Sequence, residues 1–338
     1  MGTGDHRVRG PRRQGGELRH RDPAVVSGVA LRRTLQALVV LLGVSVATFA
    51  LVHLVPGDPV RLALGTRFDQ ATYDALRERA GLDQPLLAQY LSWIGHAVTG
   101  DLGVSFRSGD PVTALILERL PATLSLALAS ILVALLIAIP LGTASALRPR
   151  SLVDGFGTVV SQIGISVPEF WMGIMLILVF AGTLGWFPAS GYVPLGEDPA
   201  GWLRSLVLPA VTTGLVSGSV LTRFTRSSVL EALGAEHVRT ARAKGLGPRA
   251  VLRGHVLRNA MLPLVTVTGV QLAYLLSGVV VVEIVFAWPG LGQLALQSVQ
   301  ARDYPVLQGA VLLFAFVFLL LNLAVDLLYS KLDPRIAS

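Results

Sequence analysis

The sequence predicts an all-α polytopic membrane protein with six transmembrane helices and both termini in the cytoplasm. Three observations lead to this class. The 338 residues are 52% hydrophobic and only 14% charged, the mean hydropathy is +0.63, and long uncharged stretches recur along the chain. Because a soluble domain carries about 25% charged residues, an ordinary soluble enzyme and a disordered chain are excluded. The chain has no cysteine, which excludes disulfide scaffolds, thiol catalysis and thiolate metal sites.

Uncharged runs of about twenty residues are long enough to cross the hydrocarbon core of a bilayer as helices. The predicted spans are roughly Thr34–Val55, Leu120–Leu147, Phe156–Gly185, Ser205–Thr222, Asn259–Val282 (extending toward Trp288) and Tyr304–Val325. The fourth is short and rich in glycine. Its Gly214 and Gly218 have the spacing that lets two helices pack closely, and a flexible span without a special role is the alternative.

The distribution of Lys and Arg predicts the orientation. Of the 28 basic residues, 20 lie in alternate segments, namely 1–33, 148–155, 223–261 and 326–338. Since basic residues accumulate on the cytoplasmic side, both termini are expected there. Residues 1–33 are predicted to be a disordered basic tail, and residues 34–338 a transmembrane domain. The net charge of +7 suits anionic membrane lipids. A nucleic-acid partner is not predicted, because no aromatic residues interleave the arginines of the tail.

The longest predicted outer segment is the loop 56–120. Residues 70–80 and 85–98 have apolar positions near helical spacing, and Gly81 lies between them as a helix stop. Acidic and basic residues nearly balance in the loop, so no steering field is expected. We interpret it as a lid or docking cap on the transmembrane part.

No catalytic constellation is present in the sequence. It contains no Gly-x-x-x-x-Gly-Lys-Ser/Thr phosphate loop, no His-Glu-x-x-His zinc motif and no Gly-x-Ser-x-Gly nucleophile motif. The six histidines are scattered. We therefore expect neither enzymatic activity nor a metal or cofactor site in this chain.

The cytoplasmic loop 223–261 is long, basic and patterned. Residues 235–244 are good helix formers, and Gly245 follows directly, where it can adopt the left-handed conformation that ends a helix. Pro248 suits the first turn of the next helix. The loop therefore predicts helix, sharp turn and helix. Such a hairpin can pass force to a cytoplasmic partner, and a merely solvated positive loop is the alternative.

This loop resembles the ATPase-coupling loop of binding-protein-dependent ABC importer permeases, in the dipeptide/oligopeptide/nickel branch. The resemblance rests on Val238-Arg-Thr-Ala-Arg-Ala-Lys-Gly-Leu246 and Arg258-Asn-Ala-Met-Leu-Pro263. Other matching motifs are Leu54-Val-Pro-Gly-Asp-Pro59, Gly100-Asp-Leu-Gly103, Arg119-Leu-Pro-Ala-Thr123, Ser166-Val-Pro-Glu-Phe-Trp171, Val282-Glu-Ile-Val-Phe-Ala-Trp-Pro-Gly-Leu-Gly292, Arg302-Asp-Tyr-Pro305, Asn322-Leu-Ala-Val-Asp326 and Leu332-Asp-Pro-Arg335. Arg239-Thr-Ala241 replaces the general Glu-Ala-Ala, as is typical of the peptide branch. Residues 1–30 match nothing in the family.

The resemblance implies a type I importer permease fold in the bacterial inner membrane. It implies the first permease of a pair, which translocates peptides delivered by an extracytoplasmic binding protein. The implied partners are a second homologous permease and two ATPase subunits, which bind ATP and Mg. By the same resemblance, the ATPase-coupling residues are Arg239, Thr240, Ala241, Arg242, Ala243, Lys244, Gly245 and Leu246.

Two acids lie within the predicted spans, Glu169 and Glu283. An ionisable group in a membrane helix usually faces a cavity, a partner or a pathway. Both are candidates for the translocation path or gate, with a structural pairing to a neighbouring helix as the alternative. Permeation of nickel chelates or small glycosides, an ion-coupled secondary transporter and a membrane scaffold or sensor remain the other functions to consider.

Overall fold

The computed structural model describes residues 23–54, 56–65, 68–277 and 279–332. Within these ranges the fold contains helices and no β-strand. The helices are α1 (Pro23–Leu54), α2 (Pro59–Leu64), α3 (Gln70–Arg79), α4 (Leu86–Val98), α5 (Val112–Leu147), α6 (Leu152–Ser166), α7 (Glu169–Leu176), α8 (Pro199–Gly234), α9 (Glu236–Ala243), α10 (Pro248–Val251), α11 (Arg258–Leu276), α12 (Val280–Val285), α13 (Leu291–Ala301) and α14 (Tyr304–Leu332). The predicted tail as far as residue 22 and the end of the Leu332-Asp-Pro-Arg335 motif lie outside the described residues.

Five helices in the described part of the chain are long and apolar enough to cross a membrane, within α1, α5, α8, α10–α11 and α14. Counted as one span, the bent pair of residues 152–166 and 169–183 brings the number to the six that the sequence predicts. Of the apolar stretch of α8, 72% is buried inside the chain, against 11% for α1. The fourth span is therefore the central one, although its mean hydropathy of 1.5 is well below that of α1, α5 and α14, and α1 lies at the periphery.

The third predicted span, Phe156–Gly185, is not one continuous helix. The axes of α6 and α7 meet at 104°. Val167, between them, has an extended backbone with ψ 126°, which fits the following Pro168, because a proline ring disfavours the helical region for the residue before it. The prolines of α5, Pro121 and Pro140, lie inside a continuous helix, so proline alone does not predict where a span breaks.

Other predicted boundaries also differ from the structure. Helix α1 begins at Pro23, inside the segment assigned to the tail. Helix α8 continues beyond the predicted Ser205–Thr222 at both ends, because charged residues continue a helix where it emerges from the membrane. The fifth span ends at Leu276 instead of reaching Val282, since Ser277 and the glycine after it are poor helix formers.

The pair α5–α8 forms the centre of the transmembrane domain. A methyl group added at Gly214 would lie 2.7 Å from Cβ of Val133, and one at Gly218 would lie 3.2 Å from Cα of Ala134. No larger side chain fits without moving α5. The close-packing interpretation of the two glycines is therefore confirmed.

We define the outer cap as residues 56–65 and 68–111. It contains α2, α3 and α4. The two predicted helices of this loop are confirmed within one residue at each end, and Gly81 between them has φ +62°. At the far end of the cap, the carboxylate of Asp303 accepts hydrogen bonds from the Ser105 hydroxyl and from the backbone N–H of Phe106. These bonds join the cap to the start of α14.

Candidate functional site

The hairpin that the sequence assigns to the cytoplasm consists of α9, the turn at Gly245 and α10. We call it the cytoplasmic hairpin, and it packs on one end of the membrane domain. Val238 and Ala241 of α9 are buried, three residues apart and so on one face of the helix. They share an apolar cluster with residues of α5, α8 and the start of the fifth span: Ala146, Val229, Ala232, Val251, Val256 and Ala260. A helix with so small an apolar face gains its stability from this packing.

The opposite face of the hairpin is basic and open. Arg239, Thr240, Arg242, Ala243, Lys244, Gly245 and Leu246 are all exposed. Ala241 is different, with only 4% of its surface accessible. Its small side chain lets α9 lie close to the apolar cluster beneath it.

Gly245 ends α9 as predicted. Its φ is +80°, its N–H donates to the carbonyl of Arg242 at 2.9 Å, and the N–H of Leu246 donates to the carbonyl of Ala241 at 3.3 Å. These two bonds form a Schellman motif, in which a left-handed residue closes the helix. A side chain at Gly245 would be strained by the backbone even though open space surrounds it. The direction of α9 is thus set by this one residue.

Glu169 is the first residue of α7 and lies directly after the bend of the broken span. Its Oε1 atom is buried and has no hydrogen-bond partner among the residues that the structure describes. An unpaired buried carboxylate oxygen is costly, so it points to a partner that this chain does not supply. The geometry agrees with the path interpretation, which stays a prediction.

Glu283 is not inside a span but in the short helix α12, after the fifth span has ended. Only 1% of its surface is accessible. One carboxylate oxygen accepts the N–H of Gln293 at 2.6 Å, in the first turn of α13, where a negative charge is favourable. A side chain at Gly290 would overlap this carboxylate. The structure therefore gives Glu283 the structural partner that the sequence had left as the alternative.

The outer cap encloses a cavity of about 770 Å³ against the outer ends of α1 and α14. His53 of α1 and Gln89 of α4 meet across it, with Nε2 and Oε1 3.1 Å apart. Asp58 also lines the cavity. Burial alone would raise the pKa of Asp58, but the N–H of Arg61, the Tyr73 hydroxyl and the Arg77 guanidinium outweigh burial and lower it. The cap is thus held by these polar contacts together with an apolar cluster of Val60, Leu64, Leu76 and Phe106.

The chain matches a known family over most of its length. Residues 138–338 match the family described as the binding-protein-dependent transport system inner membrane component. Residues 28–127 match the N-terminal region of the same membrane component. The chain belongs to this family. It is a multi-pass inner-membrane permease of an ABC importer, and the resemblance drawn from its motifs is confirmed.

Curated relatives of this permease span nearly its whole length. The oligopeptide transport system permease protein AppB of Bacillus subtilis is 42% identical over 309 residues, which are 90% of this chain and 98% of the relative. The glutathione transport system permease protein GsiC of Salmonella typhimurium is 43% identical over 306 residues, 90% of this chain and 97% of the relative.

Solved structures agree on the fold. The inward-facing MetNI methionine ABC transporter, in a selenomethionine-soaked crystal form, matches with a TM-score of 0.53 at 19% identity. The match covers 65% of this permease and 96% of that chain. The native crystal form matches with a TM-score of 0.50 at 18% identity, over 65% and 96% of the two chains. At these identities the likeness supports the permease fold alone.

Sequence reasoning missed two buried carboxylates that join separate elements. Asp303 joins the cap to α14, and Asp154 at the start of α6 pairs with Arg226 of α8. For Asp154 a signal existed, because Ser151 and Asp154 have the spacing of a helix N-terminus. The partner, 72 residues away, could not be read from the chain. No cluster of three or more metal-ligating side chains occurs in the described ranges.

Proposed function

We propose that this permease translocates short peptides, delivered by an extracytoplasmic binding protein, in a complex with a second homologous permease and two ATPase subunits. Both termini lie in the cytoplasm. The observation that supports the assignment best is a packed hairpin with a basic open face, in a chain 42% identical to an oligopeptide transport permease. The relatives that transport oligopeptides and glutathione support peptides as the substrate class.

The open face of the hairpin is the docking surface for an ATPase subunit. It is formed by Arg239, Thr240, Arg242, Ala243, Lys244, Gly245 and Leu246, with Ala241 behind them. ATP and Mg bind to the ATPase subunits, and this chain passes the resulting movement to its spans. Exposed ion pairs contribute only about 0–1 kcal/mol each, so the shape of the hairpin matters more than any one charge.

Glu169 lines the translocation path and meets the cationic amino group of a peptide. Its unpaired buried oxygen supports this role. Glu169→Gln should therefore lower peptide uptake while leaving basal ATP hydrolysis unchanged. Glu283→Gln should instead lower the amount of folded permease, because Glu283 holds the start of α13. Wild-type uptake by Glu169→Gln would remove Glu169 from the path.

The decisive experiment reconstitutes the complete complex in lipid vesicles and compares Gly245→Val with Gly247→Val. Gly247 has φ −63° and open space around it, so valine fits there. At Gly245 valine costs about 1–2 kcal/mol of strain. Peptide-stimulated ATP hydrolysis should fall roughly tenfold for Gly245→Val and stay near wild type for Gly247→Val. Equal activity of the two variants would refute the docking assignment.

The same vesicles identify the substrate class and the energy source. Labelled di- and tripeptides should enter only when ATP and the binding protein are present. Uptake of a nickel chelate or a small glycoside in their place would overturn the peptide assignment. Uptake driven by a proton gradient without ATP would overturn the importer mechanism as well.

A further inference from the structure

Asp154 makes the best-defined ionic contact near the cytoplasmic hairpin. Nε of Arg226 donates to its Oδ1 at 2.6 Å, and Nη2 donates to its Oδ2 at 2.9 Å. The backbone N–H of Arg150 donates to Oδ2 at 2.8 Å. The side chain of Asp154 is 8% exposed and that of Arg226 is 34% exposed. A two-pronged carboxylate–guanidinium pair fixes both distance and direction.

Arg226 and Asp154 lie on helices that lead to different parts of the permease. Arg226 lies on α8 one turn before Val229, which packs in the apolar cluster of the cytoplasmic hairpin. Asp154 lies in the first turn of α6. The other end of α6 leads through the 104° bend into α7, which begins at Glu169. The ion pair therefore joins the hairpin to the broken span.

The rest of the surface of α6 offers no comparable link. A side chain at Gly157 would overlap the Ser145 hydroxyl of α5, and one at Gly164 would overlap Ser219 of α8. The Ser145 and Ser161 hydroxyls are buried without a hydrogen-bond partner in the described part of the chain. Small, smooth contacts of this kind permit one helix to slide along another. The ion pair between Asp154 and Arg226 instead sets the direction in which α6 moves with α8.

We propose that Asp154 and Arg226 are positioning residues for transport, which make α6 and the start of α7 move with the cytoplasmic hairpin. The inference rests on the proposed function of the hairpin. Movement of α9 by an ATPase passes through α8 to the ion pair, from there to α6, and then across the bend to Glu169. Without the ion pair, movement of the hairpin is not passed on fully to the broken span.

The first test measures peptide uptake per ATP hydrolysed by the reconstituted complex. Asp154→Asn and Arg226→Gln should keep peptide-stimulated ATP hydrolysis within about twofold of wild type and lower uptake per ATP on the order of tenfold, because each leaves half of a buried pair. The double variant should be no worse than either single variant, since partners in one contact are not additive. Arg204→Gln is the matched control, because Arg204 is exposed at the opposite end of α8.

Arg226→Lys keeps the charge but loses the two-pronged geometry, and it serves if the other variants do not fold. It should lower uptake per ATP by a smaller factor than Arg226→Gln. Wild-type uptake per ATP in folded Arg226→Lys would overturn the proposal. A proportional fall of uptake and ATP hydrolysis would also overturn the proposal, because it would mean that the variant has only lost stability. Failure of the wild-type complex to take up peptide would instead refute the proposed function.

The second test follows the movement itself. Because the chain has no cysteine, spin labels can be placed on single cysteines introduced at Gln162 of α6 and Glu231 of α8, both exposed. In the wild-type complex the distance between the labels should stay constant when ATP is added. In Asp154→Asn it should shift or broaden on addition of ATP. A constant distance in both proteins would overturn the proposal.

Discussion

The outer cap and the cytoplasmic hairpin are the two parts of this permease that stand outside the membrane spans, and they are held in different ways. The cap is joined internally by an apolar cluster and by charged groups, such as Arg77 with Asp58 at 2.7 Å, and to α14 by the hydrogen bonds of Asp303. The hairpin is joined to the spans through apolar side chains, including Val238, which is completely buried.

The difference in bonding indicates a difference in use. Ionic and hydrogen-bonded contacts depend on pH and salt and can exchange with water. An apolar cluster has no such exchange and resists deformation because it is close-packed. The hydrogen bonds that join the cap to α1 and α14 can exchange and let the cap move over its cavity, whereas a hairpin attached by packed methyl groups can transmit a push.

The largest effect should follow from placing a charge in the hairpin core. Val238→Asp buries a carboxylate among apolar groups, which should destabilise the hairpin by about 4 kcal/mol. Trypsin should then cleave after Arg239, Arg242 and Lys244 in the isolated permease. Thr240→Asp adds the same charge on the exposed side of α9 and should stay as resistant as wild type. Equal digestion of both variants would contradict a packed hairpin.

A smaller effect is expected at the outer end. Asp303→Ala leaves the Ser105 hydroxyl and the Phe106 N–H without their acceptor, which costs about 1–3 kcal/mol. Hydrogen exchange at residues 104–107 should accelerate accordingly, while exchange in α9 stays unchanged. Asp110→Ala, an exposed acid of the same loop, is the control. If it accelerated exchange as much as Asp303→Ala, the clamp to α14 would be refuted.

Whether a feature could be predicted from the sequence depends on how far apart in the chain its interacting residues are. Gly245, Gly81 and the Gly214–Gly218 pair were predicted because each acts through its own backbone or its own helix face. The helices of the cap and hairpin were predicted for the same reason, since helix formers and stop signals are local. The matching motifs then placed these elements in a known permease.

The missed features depend on partners far away in the chain. Asp154 pairs with Arg226, which is 72 residues away, and Asp303 with the N–H of Phe106, which is 197 residues away. The local sequence names neither partner. The buried position of Ala241 was missed because alanine suits both faces of a helix equally well, and only the surrounding cluster decides between them.

Acid should loosen the cap before it affects the hairpin. Because the pKa of Asp58 is lowered in the folded cap, its contribution is complete above the usual value of 3.8 and is lost as the pH falls through the lowered pKa. The effect should be at most about 1 kcal/mol, since the side chain of Asp58 is still 23% exposed and water screens its interactions. Amide exchange in α2 and α3, corrected for intrinsic rates, should accelerate below pH 4, and exchange in α9 should not.

Asp58→Asn is the control for this pH effect. It removes the titrating group but keeps a side-chain oxygen for the N–H of Arg61. Its α2 and α3 amides should be less protected than those of wild type at neutral pH and should show no further loss on acidification. An unchanged acid response in this variant would assign the loosening to another carboxyl group of the cap.

The smallest effect on the fold should come from the basic face of the hairpin. Arg239 is exposed, so Arg239→Gln should change the stability of the permease by less than about 0.5 kcal/mol. If this face serves the docking of an ATPase, the same change should weaken binding of that subunit by up to about fivefold at low salt and hardly at all at high salt. Titration of the purified permease with its ATPase at two ionic strengths measures this. A loss of ATPase binding that does not depend on salt would mean that Arg239 contributes by its shape and not by its charge. A loss of stability without weaker binding would mean that the basic face stabilises the fold and is not a docking surface.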